Sequence, residues 1–291
     1  MDEPAAIFLA LEGGTAEGHE TTTGTGGATS GERPAFSRYE LTDLGRGPWR
    51  PDAAHGGAPA ALLAREVERH ADDGAMRIVS MAYTFLGPVF LGKVDVESAV
   101  IKPGRLQKVV DARIVASDRT LISVRAVLLR KTDIPLPEGV GVAVPELPDP
   151  ESCERITEGL WADGGQLTFH STSNEVRRVE GGPEVISPTG KAWFRLVRPV
   201  VVGEKPSPAQ RAAAAGDFGN GLAHPVHFGN YTFVNCDLSL TMHRDPVGEW
   251  IGLSSLTEVD SIGSGSTTTD LHDSLGRFGV ATQALFVDLP G

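Results

Sequence analysis

Three polar side chains, far apart along a chain of 291 residues, have the types and surroundings to hold a water molecule: Asp217, Asn235 and Gln283. Asp217 follows a run of small residues, Ser207-Pro208-Ala209-Gln210-Arg211-Ala212-Ala213-Ala214-Ala215-Gly216, that reads as a helix capped by Ser207 with Pro208 in its first turn. Asn235 falls on one strand pattern and Gln283 on a late, largely apolar one, Gly279 to Val287. A carboxylate can take a proton from water while neutral polar groups orient the molecule, so the three together would support hydrolysis. Each also has an ordinary reading. Asp217 fits a solvated helix end before the stop signal Gly219-Asn220-Gly221, although a carboxylate there opposes the helix dipole. Asn235 alternates with Asp237, Ser239 and Thr241 against Cys236, Leu238, Leu240 and Met242, the pattern of a half-solvated strand. Gln283 needs hydrogen-bond partners if buried and needs nothing if exposed.

A second group is His55-Gly56-Gly57, just before a helical stretch with Pro59 in its first turn. Free N–H groups and the positive end of the helix dipole would face whatever lies in front, and the glycines let a ligand approach the backbone. A carbonyl oxygen placed there would be polarised; a plain glycine turn with His55 as a cap is the alternative. Other chemistries lack their signatures. The eight histidines include no HExxH, the two cysteines form no CxxC, and no GxSxG elbow, GxGxxG fingerprint or Walker lysine occurs. Neither a metal nor a cofactor is expected. A net charge of -12 without a basic stripe argues against nucleic acid, yet a local patch can still take a phosphorylated coenzyme. The run Ile7 to Leu11 is too short to span a membrane and lacks a basic flank, so a cytoplasmic location is the default expectation.

The elements that must position these residues come in two rounds. Residues 1–34, rich in Gly and Thr, read as a flexible leader. Residues 35–132 give a short strand from Phe36, a helix from Ala58 to about Ala71, then strands Arg77 to Phe85, Lys93 to Ile101, Gln107 to Ser117 and Thr120 to Lys131. Prolines 135, 137, 145, 148 and 150 mark residues 133–160 as a linker. Residues 161–291 repeat the order: strands from Asn174 and Lys191, the helix at Ser207, then Tyr231 to Met242, Glu249 to Val259, Ser266 to His272 and Gly279 to Val287. Met76 to Lys93 lies over Thr232 to Glu249 at an offset of about 156 residues, the scale of a duplicated domain. That offset places Val79 and Val127 opposite Asn235 and Gln283, so one working site per chain is expected.

With these segments assembled, the chain resembles the acyl-CoA thioesterase II-like family of double hotdog proteins, in particular its actinobacterial-type members. The likeness is carried by His55 to Leu63, Phe194 to Pro199, Ala213 to Gly221, Asn235 to Arg244, Gly248-Glu249-Trp250 and Gly276 to Gln283. It implies an α+β fold of two antiparallel sheets, each wrapped around a central helix. It also implies hydrolysis of an acyl-CoA thioester, with Asp217 as the water-activating acid and Gln283 as its glutamine partner. Asn235 stands where the family commonly has threonine, a hydroxyl exchanged for an amide. His55, Gly56 and Gly57 would bind the substrate, with the Gly57 N–H as oxyanion donor. A hotdog dehydratase or hydratase pairing His55 with Asp217, and a non-catalytic acyl-CoA or lipid-binding protein, are the alternatives. Exposed sheet edges leave homo-oligomer formation open.

Overall fold

A computed structural model describes residues 4–11, 34–141, 144–156, 166–181, 185–227 and 230–289. The first round of elements comprises β1 (Phe8–Ala10), β2 (Ala35–Leu41), α1 (Gly57–Glu68), β3 (Met76–Phe85), β4 (Gly92–Lys102), β5 (Gln107–Ala116) and β6 (Arg119–Arg130). The second comprises β7 (Glu154–Ile156), β8 (Asn174–Glu180), β9 (Thr189–Leu196), α2 (Pro208–Gly216), α3 (Gly219–Leu222), β10 (Thr232–Asn235), β11 (Asp237–Met242), β12 (Trp250–Asp260), β13 (Ser264–Asp273) and β14 (Gly276–Asp288). Strand order is β2-β4-β5-β6-β3 in the first half and β9-β12-β13-β14-β11 in the second, the same path traced twice.

The two halves meet where β3 pairs with β11, from Asp237↔Thr84 to Thr241↔Ser80. The expected two sheets are therefore one 14-stranded sheet. The reason is an edge problem: each path ends on a strand with unpaired N–H and C=O groups, and the two ends satisfy each other. β-Bulges show that the halves are duplicates. The irregularity between Ile114 and Val115 has its counterpart between Leu271 and His272, a step of 157 residues. This is one more than direct matching of the letters gives. At that step Asn235 corresponds to Ile78 and Gln283 to Ala126, in place of Val79 and Val127; both are apolar and buried.

The helices pack against each other and against the sheet, α1 against β3 to β6 and α2 against β9, β11, β12 and β13. Gly57 to Ala64 of α1 are all buried, and so are Ala209 to Gly216 of α2. Helical stretches buried on every side belong in an interior, and their alanines let the two backbones come close. They run antiparallel. The start of α1 meets the end of α2, where a Cβ on Gly57 would stand 2.5 Å from the Ala214 carbonyl oxygen. The start of α2 meets the end of α1, where Ser207 Oγ and Gln210 Nε2 donate to Glu68 Oε2 at 2.8 and 2.9 Å.

Glu68 gives a pH prediction. Burial pushes its carboxyl above the usual range and Asp245 adds to this, against the two hydrogen bonds and the Arg211 charge. Such an acid keeps its proton in the folded chain at pH values where the unfolded chain has lost it. Stability therefore declines as pH rises from the unfolded value, about 4.3, through the higher folded one. Glu68→Gln is expected to raise Tm by a few degrees at neutral pH and by nothing near pH 4, checked by calorimetry across that range. A gain of equal size at every pH would refute the assignment.

Two segments differ from the sequence reading. Within the expected leader, Ala6, Ile7 and Phe8 are buried and β1 pairs with β2; residues 12–33 lie outside the described residues. The Phe8 N–H also donates to Val200 C=O at 2.8 Å, tying this end of the chain to the second half. Within the expected linker, β7 pairs with β8. Among the described residues no helix is long and apolar enough to cross a membrane.

Candidate active site

Asp217 is buried at the break between α2 and α3. The Gly219-Asn220-Gly221 sequence does not end the helical path; it forms α3, and the interruption falls at Asp217 and Phe218. Close packing explains the glycine that opens α3. A Cβ on Gly219 would stand 2.5 Å from Thr269 Oγ1 and 2.7 Å from Gln283 Oε1. Gln283 is buried beneath this break. Its Oε1 accepts the Asn220 N–H at 3.2 Å and its Nε2 donates to the Asp217 carbonyl at 3.4 Å. Both ends of the amide therefore grip backbone that the helix break leaves unpaired. Gln283 reaches Asp217 through the main chain, not through the carboxylate, and it does not line the cavity described below.

Asn235 owes its direction to a β-bulge. β10 pairs with β14 through Asn235↔Leu285, and β11 resumes at Ser239↔Thr282 with one extra residue on its own side. The Cys236 N–H donates to Ala284 C=O at 2.9 Å, and Asp237 Oδ1 accepts the Ala284 N–H at 2.6 Å. The extra residue reverses the alternation. Phe233 is buried on the inner face before it, and Leu238, Leu240 and Met242 after it. Asn235 thus leaves the polar row of Asp237, Ser239 and Thr241 and turns inward. Its Nδ2 donates to Asp217 Oδ1 at 2.7 Å, while its own buried Oδ1 has no partner among the described residues.

The other carboxylate oxygen faces His55, whose Nδ1 lies 3.1 Å from Asp217 Oδ2. The Gly57 N–H also points at Nδ1, again at 3.1 Å. One ring nitrogen cannot accept from Gly57 and donate to Asp217 at once. The close approach of Nδ1 and Oδ2 therefore calls for a proton between them, and when Nδ1 carries it the Gly57 N–H loses its acceptor. The imidazole is held flat by aromatic rings, Phe218 at 4.4 Å between centroids and Phe169 at 5.3 Å, with Phe194 stacked beyond Phe218 at 4.5 Å.

These groups open on a cavity of about 500 Å³. His55, Gly56, Asp217 and Asn235 form its polar end, and Trp49, Phe85, Val89, Phe218 and Phe233 contribute apolar wall. Gly56 lines it, whereas Gly57 turns towards α2. Among the described residues the Gly56 N–H meets no protein acceptor. The glycine that lines the cavity with an N–H left over is thus Gly56, one residue before the expected Gly57. A Cβ on Gly56 would stand 2.7 Å from Asp217 Oδ2, which is why glycine is needed there too.

Asp217, Asn235, His55 and Gly56 thus converge, and Gln283 supports them from behind. Sequence reasoning missed the aromatic clamp of Phe169, Phe194 and Phe218. Phe218 and Phe194 lie inside segments that carried the family likeness, but nothing in their spacing pointed to His55. Phe169 comes from a single turn of π-helix, Phe169–Ser173, that no periodicity announces.

The sequence matches the acyl-CoA thioesterase N-terminal domain family over residues 45–130 and the acyl-CoA thioesterase C-terminal domain family over residues 150–287. The chain belongs to this hotdog-fold acyl-CoA thioesterase superfamily. Among solved structures, a candidate thioesterase from Novosphingobium aromaticivorans superposes with a TM-score of 0.65 at 22% identity, covering 87% of this chain and 96% of the other. A hotdog-fold protein of unknown function from Alicyclobacillus acidocaldarius gives 0.66 at 15% identity, covering 88% and 94%. An acyl-CoA thioesterase II from Mycobacterium marinum gives 0.63 at 14% identity, covering 87% and 94%. At these identities the superpositions speak for the fold, and they extend it beyond the actinobacterial type expected from the sequence. No curated protein sequence matches the chain.

Proposed function

We propose that this protein hydrolyses an acyl-CoA thioester to a free acid and coenzyme A, using water activated at Asp217. The observation that carries this reading is a buried carboxylate held at both oxygens, by Asn235 and His55, at the polar end of an apolar cavity beside the start of α1. A water bound there would give one hydrogen to Asp217 and the other to Asn235 Oδ1, the buried acceptor without a protein partner. Its oxygen attacks the thioester carbonyl carbon while Asp217 accepts the proton. The developing oxyanion lies against the Gly56 N–H at the positive end of the α1 dipole. Collapse of the tetrahedral intermediate breaks the C–S bond, and the departing thiolate takes the proton back. Asn235, in the threonine place, holds the water through an amide, and Gln283 acts as a positioning residue.

The test is a survey of thiol release across acyl-CoA chain lengths. Turnover with at least one chain length supports the reading, and release no faster than without protein for all of them overturns it. Gln283→Leu should slow hydrolysis by roughly tenfold by loosening Asp217 and, by stranding the buried Asn220 N–H, cost about 1–3 kcal/mol of stability by denaturant unfolding.

The 3.1 Å contact between His55 and Asp217 also favours a second reading, addition of water to a 2-enoyl thioester. Loss of enoyl absorbance without thiol release would select it.

A further inference from the structure

The two-fold relation of the halves predicts a second cavity at the opposite ends of the helices, and the chain has one, of about 400 Å³. The first is built from the loop before α1 and the β3–β4 turn. The second is built from the end of β9 and the loop before α2, residues 195–199 and 204–206, with Arg211 on α2 and Glu249 before β12. Its chemistry is reversed. The carboxylate at the end of α1, Glu68, is tied to Ser207 and Gln210 and does not line the cavity.

What lines it is Arg211, an arginine only 9% exposed. Its Nη1 donates to the Pro206 carbonyl at 2.6 Å and, among the described residues, its buried Nε finds no acceptor. Among the described residues no carboxylate comes within ion-pair distance of it. The acids around the cavity are otherwise engaged: Glu204 receives Arg65 Nε at 3.0 Å, Glu249 lies 3.5 Å from Lys205 Nζ, and Glu175 holds Arg195. Burial lowers the Arg211 pKa, and Glu249 and Glu68 offset this only at longer range. A buried cation without a close counter-ion is costly to a fold, and a chain of net charge -12 has ample acids with which to neutralise it. An open cavity beside it admits an anion instead.

We propose that this second cavity binds a phosphate group, with Arg211 at its base and the exposed Lys205 at its rim. A planar guanidinium and a flexible ammonium together suit a tetrahedral dianion better than a carboxylate. Inorganic phosphate and the phosphates of a nucleotide such as the one in coenzyme A share this chemistry.

Isothermal titration of the full chain with inorganic phosphate, and separately with adenosine 3′,5′-bisphosphate, tests the proposal. Saturable binding of one equivalent is expected from at least one probe. Phosphate binding alone identifies the free anion as the source, and binding of the bisphosphate alone identifies the nucleotide. Arg211→Met, which keeps the buried stem, should weaken binding about tenfold or more, and Lys205→Ala several-fold. Glu249→Gln, which removes the competing acid from an exposed position, should tighten it. The two surface variants leave the core untouched, so their opposite effects remain readable if Arg211→Met folds poorly. No saturable binding of either probe would overturn the proposal, as would binding that neither surface variant changes. The outcome is independent of whether thiol release is found at the first cavity.

Discussion

Asp217→Asn is expected to lower kcat for thioester hydrolysis by about a thousandfold, with KM changed little. Asparagine has almost the shape of aspartate and can keep both neighbours. Its Oδ1 still accepts from Asn235 Nδ2, and its Nδ2 can donate to His55 Nδ1, now the acceptor. What it cannot do is take a proton from water. Because only that capacity is removed, ground-state binding in the apolar cavity should persist while the chemical step fails. The measurement is steady-state thiol release on the best chain length, with Tm alongside to show that the fold is intact. A variant keeping more than about a tenth of wild-type kcat would remove Asp217 from the role of base, since proton transfer by a placed side chain contributes at least about a hundredfold.

Gly57→Ala is expected to destabilise the fold as well as to lower activity. The added methyl would stand 2.5 Å from the Ala214 carbonyl oxygen, 2.9 Å from Phe169 and 3.3 Å from His55 Nδ1. The first of these is backbone of α2, itself fixed against the sheet, so the two helices must part. Overpacking of this kind costs about 1–3 kcal/mol, and each kcal/mol lowers Tm by about 2–4 °C in a chain of this size. Gly56→Ala makes an instructive partner. Its methyl would meet a side-chain atom, Asp217 Oδ2, at 2.7 Å, and side chains can turn away. Gly56→Ala should therefore lose activity with a smaller fall in Tm, while Gly57→Ala loses both. Equal melting temperatures for wild type and Gly57→Ala would show that α1 and α2 are not locked at this point.

Most regular elements were legible because their signals are local. The alternation of Val109 to Ala116 marks β5, and Ser207 caps α2 by accepting the Gln210 N–H at 3.1 Å. What the sequence hid depended on distant pairing. Asn235 reads as part of a polar row because a bulge leaves no mark on composition, yet one extra residue turns it inward to Asp217. Matching of letters sets the step between halves at 156 where the paired bulges set it at 157, and this shifts both counterparts by one place. The apolar setting of Gln283 calls for partners, but its attachment to the helix-break backbone depends on α3, which stands where the sequence signals a stop. Gly57 looked like the donor because glycines before a helix all read alike; its actual neighbour, Ala214, lies 157 residues away in the chain. Glu68 is an ordinary acid at the end of an amphipathic pattern until the antiparallel helices place it against Ser207.

Joining β3 to β11 within a single polypeptide also changes what mutation can do. In a pair of identical chains every substitution arrives twice, so a residue that improves one end must be tolerated at the other. Here each copy of the motif is inherited separately. One end can keep an acid facing an apolar chamber while the other acquires a guanidinium, and neither change is imposed on its twin. The covalent tether thus frees the two ends to take up different work while preserving the shared architecture that both need.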